Sequence, residues 1–145
     1  RDFRGYLLEG IIGYIGKRAE VYCNDIFGTT NIKFELSANN IDILYDGKAY
    51  ELLSGGERQK VDIIIQLAIR DMLCALMGFS CNIIVFDEIF DFLDSSGAEA
   101  LVKAISLRLQ DINSIFIITH HNDIDIPYDN MIVVVKDENR ISHIE

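Results

Sequence analysis

The chain has 145 residues, 50% of them apolar, enough for one compact unit with a sizeable core. Its 23 acidic side chains outweigh 13 lysines and arginines for a formal net charge of -10, so by itself it lacks the cations that nucleic-acid phosphates demand. No run approaches the roughly 20 apolar residues that span a bilayer, and the start carries no apolar stretch before a cleavage site. A cytoplasmic protein without a membrane partner is expected. The first residue is Arg1, so a longer parent protein is expected too.

Apolar residues at Phe3, Leu7, Ile11, Ile15, Tyr22 and Ile26 recur near one face and predict a helix over 3–27. Gly10, Gly13 and Gly16 weaken it by about 1 kcal/mol each relative to alanine, and Gly28-Thr29-Thr30 should end it. Three short strands follow at 32–36, 41–45 and 48–52. The turn at 37–40 joins the first pair, and Asp46-Gly47 suits a two-residue type I′ hairpin between the second and third.

A second helix is predicted over 57–77, with Val61, Ile64, Ile65, Ala68, Ile69, Met72 and Leu76 inward. The apolar run 82–86 reads as a strand buried on both faces. Ser96 and Glu99 match a capping box, starting a helix through about Gln110 with Leu101, Val102, Ile105 and Leu109 inward. Runs at 114–119 and 131–135 read as two more core strands. After a turn at 137–139 comes a last strand over 140–144. Strand, helix, strand on buried runs implies a right-handed crossover and a mainly parallel α/β core. Cys23, Cys74 and Cys81 form no CxxC pair and should be reduced thiols.

Three constellations carry chemistry. Ser54-Gly55-Gly56-Glu57 precedes a helix; two glycines allow close backbone approach to a phosphate, and the helix N-terminus faces it with free N–H groups. A tight turn with an N-cap explains the same residues. In 83–88, four apolar residues lead to Asp87 and Glu88 at a strand's C-terminal end, where open α/β sheets bind ligands. Asp87 is placed to hold Mg²⁺, directly or through water, and Glu88 to orient or deprotonate a water; two solvated acids are the bland alternative. The run 115–118 ends in Thr119-His120-His121 at the same edge, where an imidazole can donate to a phosphate oxygen. Metal binding by the histidine pair is disfavoured, because adjacent side chains on an extended chain point to opposite faces.

Together these residues resemble the ATPase heads of the SMC-like branch of the ABC superfamily, of the SbcC recombination-nuclease type. Leu53 through Glu57 is similar to the signature motif in its glutamate-ending form. The strand 83–88 looks like a Walker B strand with its glutamate, Phe92-Leu93-Asp94 resembles the D-loop, and Thr119-His120 the switch histidine. Ile89 stands where transporters have proline. No GxxxxGK[ST] phosphate loop occurs in the chain, so the resemblance implies the C-terminal lobe of a head whose N-terminal Walker A lobe lies elsewhere in the same protein.

The implied organisation is a returning coiled-coil end helix over 1–27 and the ATPase lobe over 28–145, with a small antiparallel meander before the signature. The implied roles are Glu88 as general base, His120 as γ-phosphate sensor, and Asp87 for Mg²⁺. Ser54, Gly55 and Gly56 would contact ATP held by a second head, and Asp94 would communicate across that dimer. His121 has no implied role. The implied cofactors are ATP and Mg²⁺. The implied partners are the Walker A lobe, a second copy and a nuclease subunit, with DNA met through the full complex. A chromosome-organising SMC protein, a RecF- or RecN-like ATPase, a transporter subunit and a non-catalytic dimerisation module remain open.

Overall fold

The computed structural model describes residues 3–29, 31–37, 40–78, 80–121 and 126–145. Thr30 at the expected helix end, and Ala38 and Asn39 in the expected turn over 37–40, lie outside them.

Helix α1 (Phe3–Phe27) buries Ile12, Ile15, Ala19, Tyr22, Cys23 and Ile26, one stripe at helical spacing. Phe3 and Leu7, expected on that stripe, are exposed. The inward face begins only where α1 meets the helices and strand it packs on. Gly28, at φ 68°, closes the helix by donating its N–H to the Asn24 carbonyl at 2.9 Å.

Strands β1 (Ile32–Leu36), β2 (Ile41–Tyr45) and β3 (Lys48–Ala49) form the antiparallel meander, with Ile32 opposite Tyr45 and Tyr45 opposite Lys48. Asp46 and Gly47 both take positive φ (50° and 76°), as the type I′ turn requires. Strand β3 is shorter than expected: Tyr50–Leu52 coils into a 3-10 turn. The Tyr50 hydroxyl donates to Asp62 at 2.7 Å, which ties this turn to the next helix rather than to the sheet.

That helix, α2 (Gly55–Met77), starts two residues earlier than expected because Ser54 and Glu57 form a capping box. Val61, Ile63, Ile64, Leu67 and Ala68 are buried, whereas Ile69 and Leu76 are exposed. Gly78 closes it at φ 64°. Helices α1 and α2 are joined by a half-buried network. Asp71 accepts from Arg18 Nε at 2.7 Å and from the Tyr22 hydroxyl at 2.9 Å, and also from the terminal guanidinium nitrogen of Arg18.

Strand β4 (Ile83–Asp87) pairs in parallel with β5 (Ser114–Ile118), Ile83 opposite Ser114 and Asp87 opposite Ile118. Helix α3 (Ser95–Arg108) forms the connection and buries Leu101, Val102 and Ile105, with Leu109 just beyond. Its N-cap is Asp94, which accepts from Gly97 N–H at 2.9 Å; the expected capping box at Ser96 and Glu99 is not the one used. Asp94 stands one residue before the first helical turn, where a carboxylate reaches the free amides.

Two further expectations are corrected. β4 is covered on one face only: Ile84 and Phe86 join the core with Ile115 and Ile117, but Ile83 (52%), Val85 (55%), Phe116 (48%) and Ile118 (50%) are open. The 131–135 run does not extend the parallel sheet. Strand β6 (Val134–Lys136) pairs antiparallel with β7 (Ser142–Ile144) in a separate exposed ribbon. The turn between them is held by Arg140 N–H donating to the Asp137 carbonyl at 2.9 Å, so a short local closure replaces a long-range pairing.

Among the described residues the fold is thus α/β, with a small parallel sheet, an antiparallel meander and three α-helices around one core, and the β6–β7 ribbon to the side. No helix among the described residues is long and apolar enough to cross a membrane. The three cysteines are unbridged, with Cys23 buried.

Candidate active site

Parallel pairing of β4 with β5 brings two loop starts side by side. Glu88 follows β4 directly and donates its N–H to the Ile118 carbonyl at 2.9 Å, extending the ladder by one bond. Its φ of 50° is the left-handed region, uncommon outside glycine, and the chain turns sharply there. Nδ1 of His120 then lies 2.9 Å from Oε2 of Glu88. An ionised carboxylate only accepts, so Nδ1 donates and Nε2 of a neutral ring carries the lone pair. Asp87 is exposed beside this pair, and its side chain makes no hydrogen bond or ion pair among the described residues.

The two histidines do not diverge as an extended chain would make them. Their rings stack with centroids 4.5 Å apart and planes 27° apart. The cause is local: His121 N–H donates to Thr119 Oγ1 at 3.1 Å, a side-chain turn that bends the backbone just past β5. Nε2 of His121 lies 3.4 Å from Oδ1 of Asp91. Nothing in the sequence singled out Asp91. It comes close because its N–H donates to the Glu88 carbonyl at 3.3 Å, a tight turn that folds it back toward the strand tips.

The signature-like turn is open on its outer side. Ser54 is exposed, and a Cβ on Gly55 would meet nothing within 4 Å. The Ser54 hydroxyl oxygen accepts from Glu57 N–H at 3.3 Å, and Glu57 Oε2 accepts from Ser54 N–H at 2.8 Å. The cap and the phosphate reading therefore coexist, because the hydroxyl keeps its proton for an outside acceptor. The ammonium of Lys48, 2.7 Å from Glu57 Oε1, and then the Ser54 amide hold the Glu57 carboxyl down at about 2. Gly56 packs against the loop after β4: a Cβ there would lie 3.0 Å from the Phe92 carbonyl oxygen.

These donors fit part of a nucleotide site. One exposed carboxylate, Asp87, suits Mg²⁺, which keeps most of its waters. The open start of α2 suits a phosphate anion. A glycine-rich cradle with its lysine is not among these residues.

No family model matches the chain. A Rad50 DNA double-strand break repair ATPase of Methanococcus maripaludis is 31% identical over 140 residues, 92% of this chain and 13% of that protein. The Rad50 ATPase of Thermococcus kodakarensis is 26% identical over 92% of this chain and 15% of its own length. The chain is homologous to the Rad50 ATPases.

The probable exonuclease subunit 2 of Escherichia phage T5 is similar along with these Rad50 proteins, 26% identical over all of this chain and 24% of its own length. The chain spans a quarter or less of the curated relatives it matches. Among solved structures, one from a study of ATP-driven dimerization and DNA-stimulated activation of SMC ATPases superposes with a TM-score of 0.72. It is 17% identical and covers 97% of this chain and 87% of that one. The Pyrococcus furiosus Smc head, bound to the C-terminal domain of ScpA, gives 0.66 at 18% identity over 92% of this chain and 34% of its own. At those identities the likeness is one of fold. Rad50 homology and SMC fold agree on the C-terminal half of an ABC-type ATPase head.

Proposed function

We propose that this chain supplies the catalytic glutamate and the signature turn of an ATP-hydrolysing head, which dimerises around ATP and drives a DNA double-strand-break repair or recombination nuclease complex. The observation that supports it best is the 2.9 Å contact of Glu88 with His120 at adjacent strand tips. Glu88 is the base that takes the proton of the attacking water. His120 holds that carboxylate in place through Nδ1, and once the ring takes up a second proton its Nε2–H donates to the terminal phosphate. Asp87 would hold Mg²⁺, which when bound would supply positive charge to offset that developing on the phosphate oxygens. Ser54 and the first amides of α2 bind the terminal phosphate of ATP held by a second copy, and Asp94 communicates across that dimer.

The open face of β4 and β5, with Ile83, Val85, Phe116 and Ile118, supports a missing N-terminal lobe that completes the sheet and brings the phosphate loop. The exposed start of α1, with Phe3, Tyr6 and Leu7, supports its continuation as a coiled coil. The nuclease partner is inferred from the Rad50 and phage exonuclease relatives, with DNA reached through the complex, as the acidic charge of this chain requires.

In the head completed with its N-terminal lobe, Glu88→Gln should keep ATP binding, slow hydrolysis about 100-fold or more, and leave ATP-bound dimers. The readouts are phosphate release and size-exclusion in ATP. Unchanged turnover removes Glu88 as the base.

A further inference from the structure

Asp91 and His121 have no part in the mechanism above, yet the fold places them against His120. One ligand atom from each of Asp91, His120 and His121 lies within 4.8 Å of the other two. We propose that these three side chains form a binding site for a first-row transition-metal dication of the zinc type, separate from the Mg²⁺ position at Asp87.

The donor set selects the metal class. Two imidazoles and one carboxylate suit Zn²⁺, Co²⁺ or Ni²⁺, whereas Mg²⁺ and Ca²⁺ take oxygen donors. Zinc bonds of roughly 2.0–2.2 Å in tetrahedral geometry set neighbouring donor atoms about 3.3–3.5 Å apart. His121 Nε2 and Asp91 Oδ1 already stand at 3.4 Å. That Asp91 oxygen is buried, and no hydrogen bond reaches it among the described residues. The ligand atom of His120 lies within 4.8 Å of both, and movement of its exposed ring closes the two remaining edges to the tetrahedral spacing.

Orientation points the same way. Glu88 accepts from His120 Nδ1, which leaves the Nε2 lone pair for a metal. A carboxylate behind a metal-binding histidine fixes its tautomer and raises its basicity. The Thr119 turn keeps the second ring beside the first, and rotation of the exposed His120 ring out of the 27° stack turns its lone pair, which lies in the ring plane, toward the ion. Three protein ligands leave one position for water or another ligand. Because His120 serves both sites, a bound zinc-type ion would withdraw it from the hydrolytic geometry. The binding claim itself does not depend on ATP chemistry.

The test uses the 145-residue chain, stripped with a chelator and titrated with Zn²⁺ by calorimetry and with Co²⁺ by visible absorption. One equivalent should bind, and Co²⁺ should show the intense d–d bands of a four- or five-coordinate nitrogen and oxygen site. His121→Ala and Asp91→Asn should each weaken Zn²⁺ binding at least about 10-fold. His143→Ala, whose ring sits against Asp137 in the β6–β7 ribbon, should leave it unchanged. Circular dichroism checks folding, and if His121→Ala unfolds, Asp91→Asn decides. Thiolate charge-transfer bands, the weak pink spectrum of hydrated Co²⁺, or full affinity in a folded Asp91→Asn chain would each overturn the proposal.

Discussion

Gly56 stands so close to the loop after β4 that a Cβ on it would lie 3.0 Å from the Phe92 carbonyl oxygen, while Gly55 next to it has open space. The crowding atom is backbone and cannot rotate away. Alanine adds up to about 1 kcal/mol of helix propensity at either place, but overpacking at Gly56 costs about 1–3 kcal/mol. Gly55→Ala should therefore be neutral or stabilising, and Gly56→Ala should lose about 1 kcal/mol net. Paired thermal melts decide it; a less stable Gly55 variant would contradict this packing.

Asp71 joins α1 to α2 through Arg18 and Tyr22. Removing its carboxylate leaves a half-buried guanidinium and a phenol without their acceptor. Asp71→Ala should cost about 2–3 kcal/mol, below the range for fully buried pairs because Arg18 is partly solvated. Tyr22→Phe removes one neutral donor and should cost about 1 kcal/mol. Urea titrations of both variants measure the difference.

The start of α3 distinguishes two caps. Asp94 accepts from Gly97 N–H at 2.9 Å, whereas Ser96 lies within the helix. Asp94→Ala should destabilise by about 1 kcal/mol, and Asp94→Asn should restore most of it. Ser96→Ala should stay within about 0.5 kcal/mol of the parent. Equal losses at Asp94 and Ser96 would contradict the cap.

Stability should fall at both ends of the pH scale, for opposite reasons. Burial, with Asp71 next in size, pushes the Tyr22 phenol up to about 12, and burial pushes Tyr45 to about 12 as well. Above about pH 10 the unfolded chain loses phenolic protons that the folded chain retains, so this stability is full below about 10 and lost between 10 and 12. Glu57, held at about 2, works the other way. Its contribution is complete above the ordinary carboxylate range and disappears as pH falls toward about 2. Urea midpoints across pH should show both limbs, with Tyr22→Phe flattening the alkaline one and Glu57→Gln the acid one.

Much of the site was legible as order along the chain. A parallel pair joined by one helix must bring its C-terminal tips together, so Glu88 and His120 could be expected as neighbours from two apolar runs, each ending in a polar residue. The meander and its Asp46-Gly47 turn were equally readable, because that turn is a local steric requirement. Asp91 was not legible. It reaches His121 through a turn hydrogen bond on Glu88, and no periodicity marks such a return. The stacking of the histidines is not legible either, because the alternation rule holds only while the backbone stays extended, and Thr119 bends it.

What the sequence determined by itself was the set of local elements and the chemistry at their ends: helix stripes, the hairpin turn, the acids after β4 and the imidazoles after β5. Only the tertiary structure decided which faces those elements cover. Apolar runs state that burial is favourable without naming the partner. The 131–135 stretch therefore read as core, although its strand pairs with a neighbour a few residues on, and β4 read as enclosed although one face stays bare. Burial is a property of what arrives on the other side, and a chain cannot encode that alone.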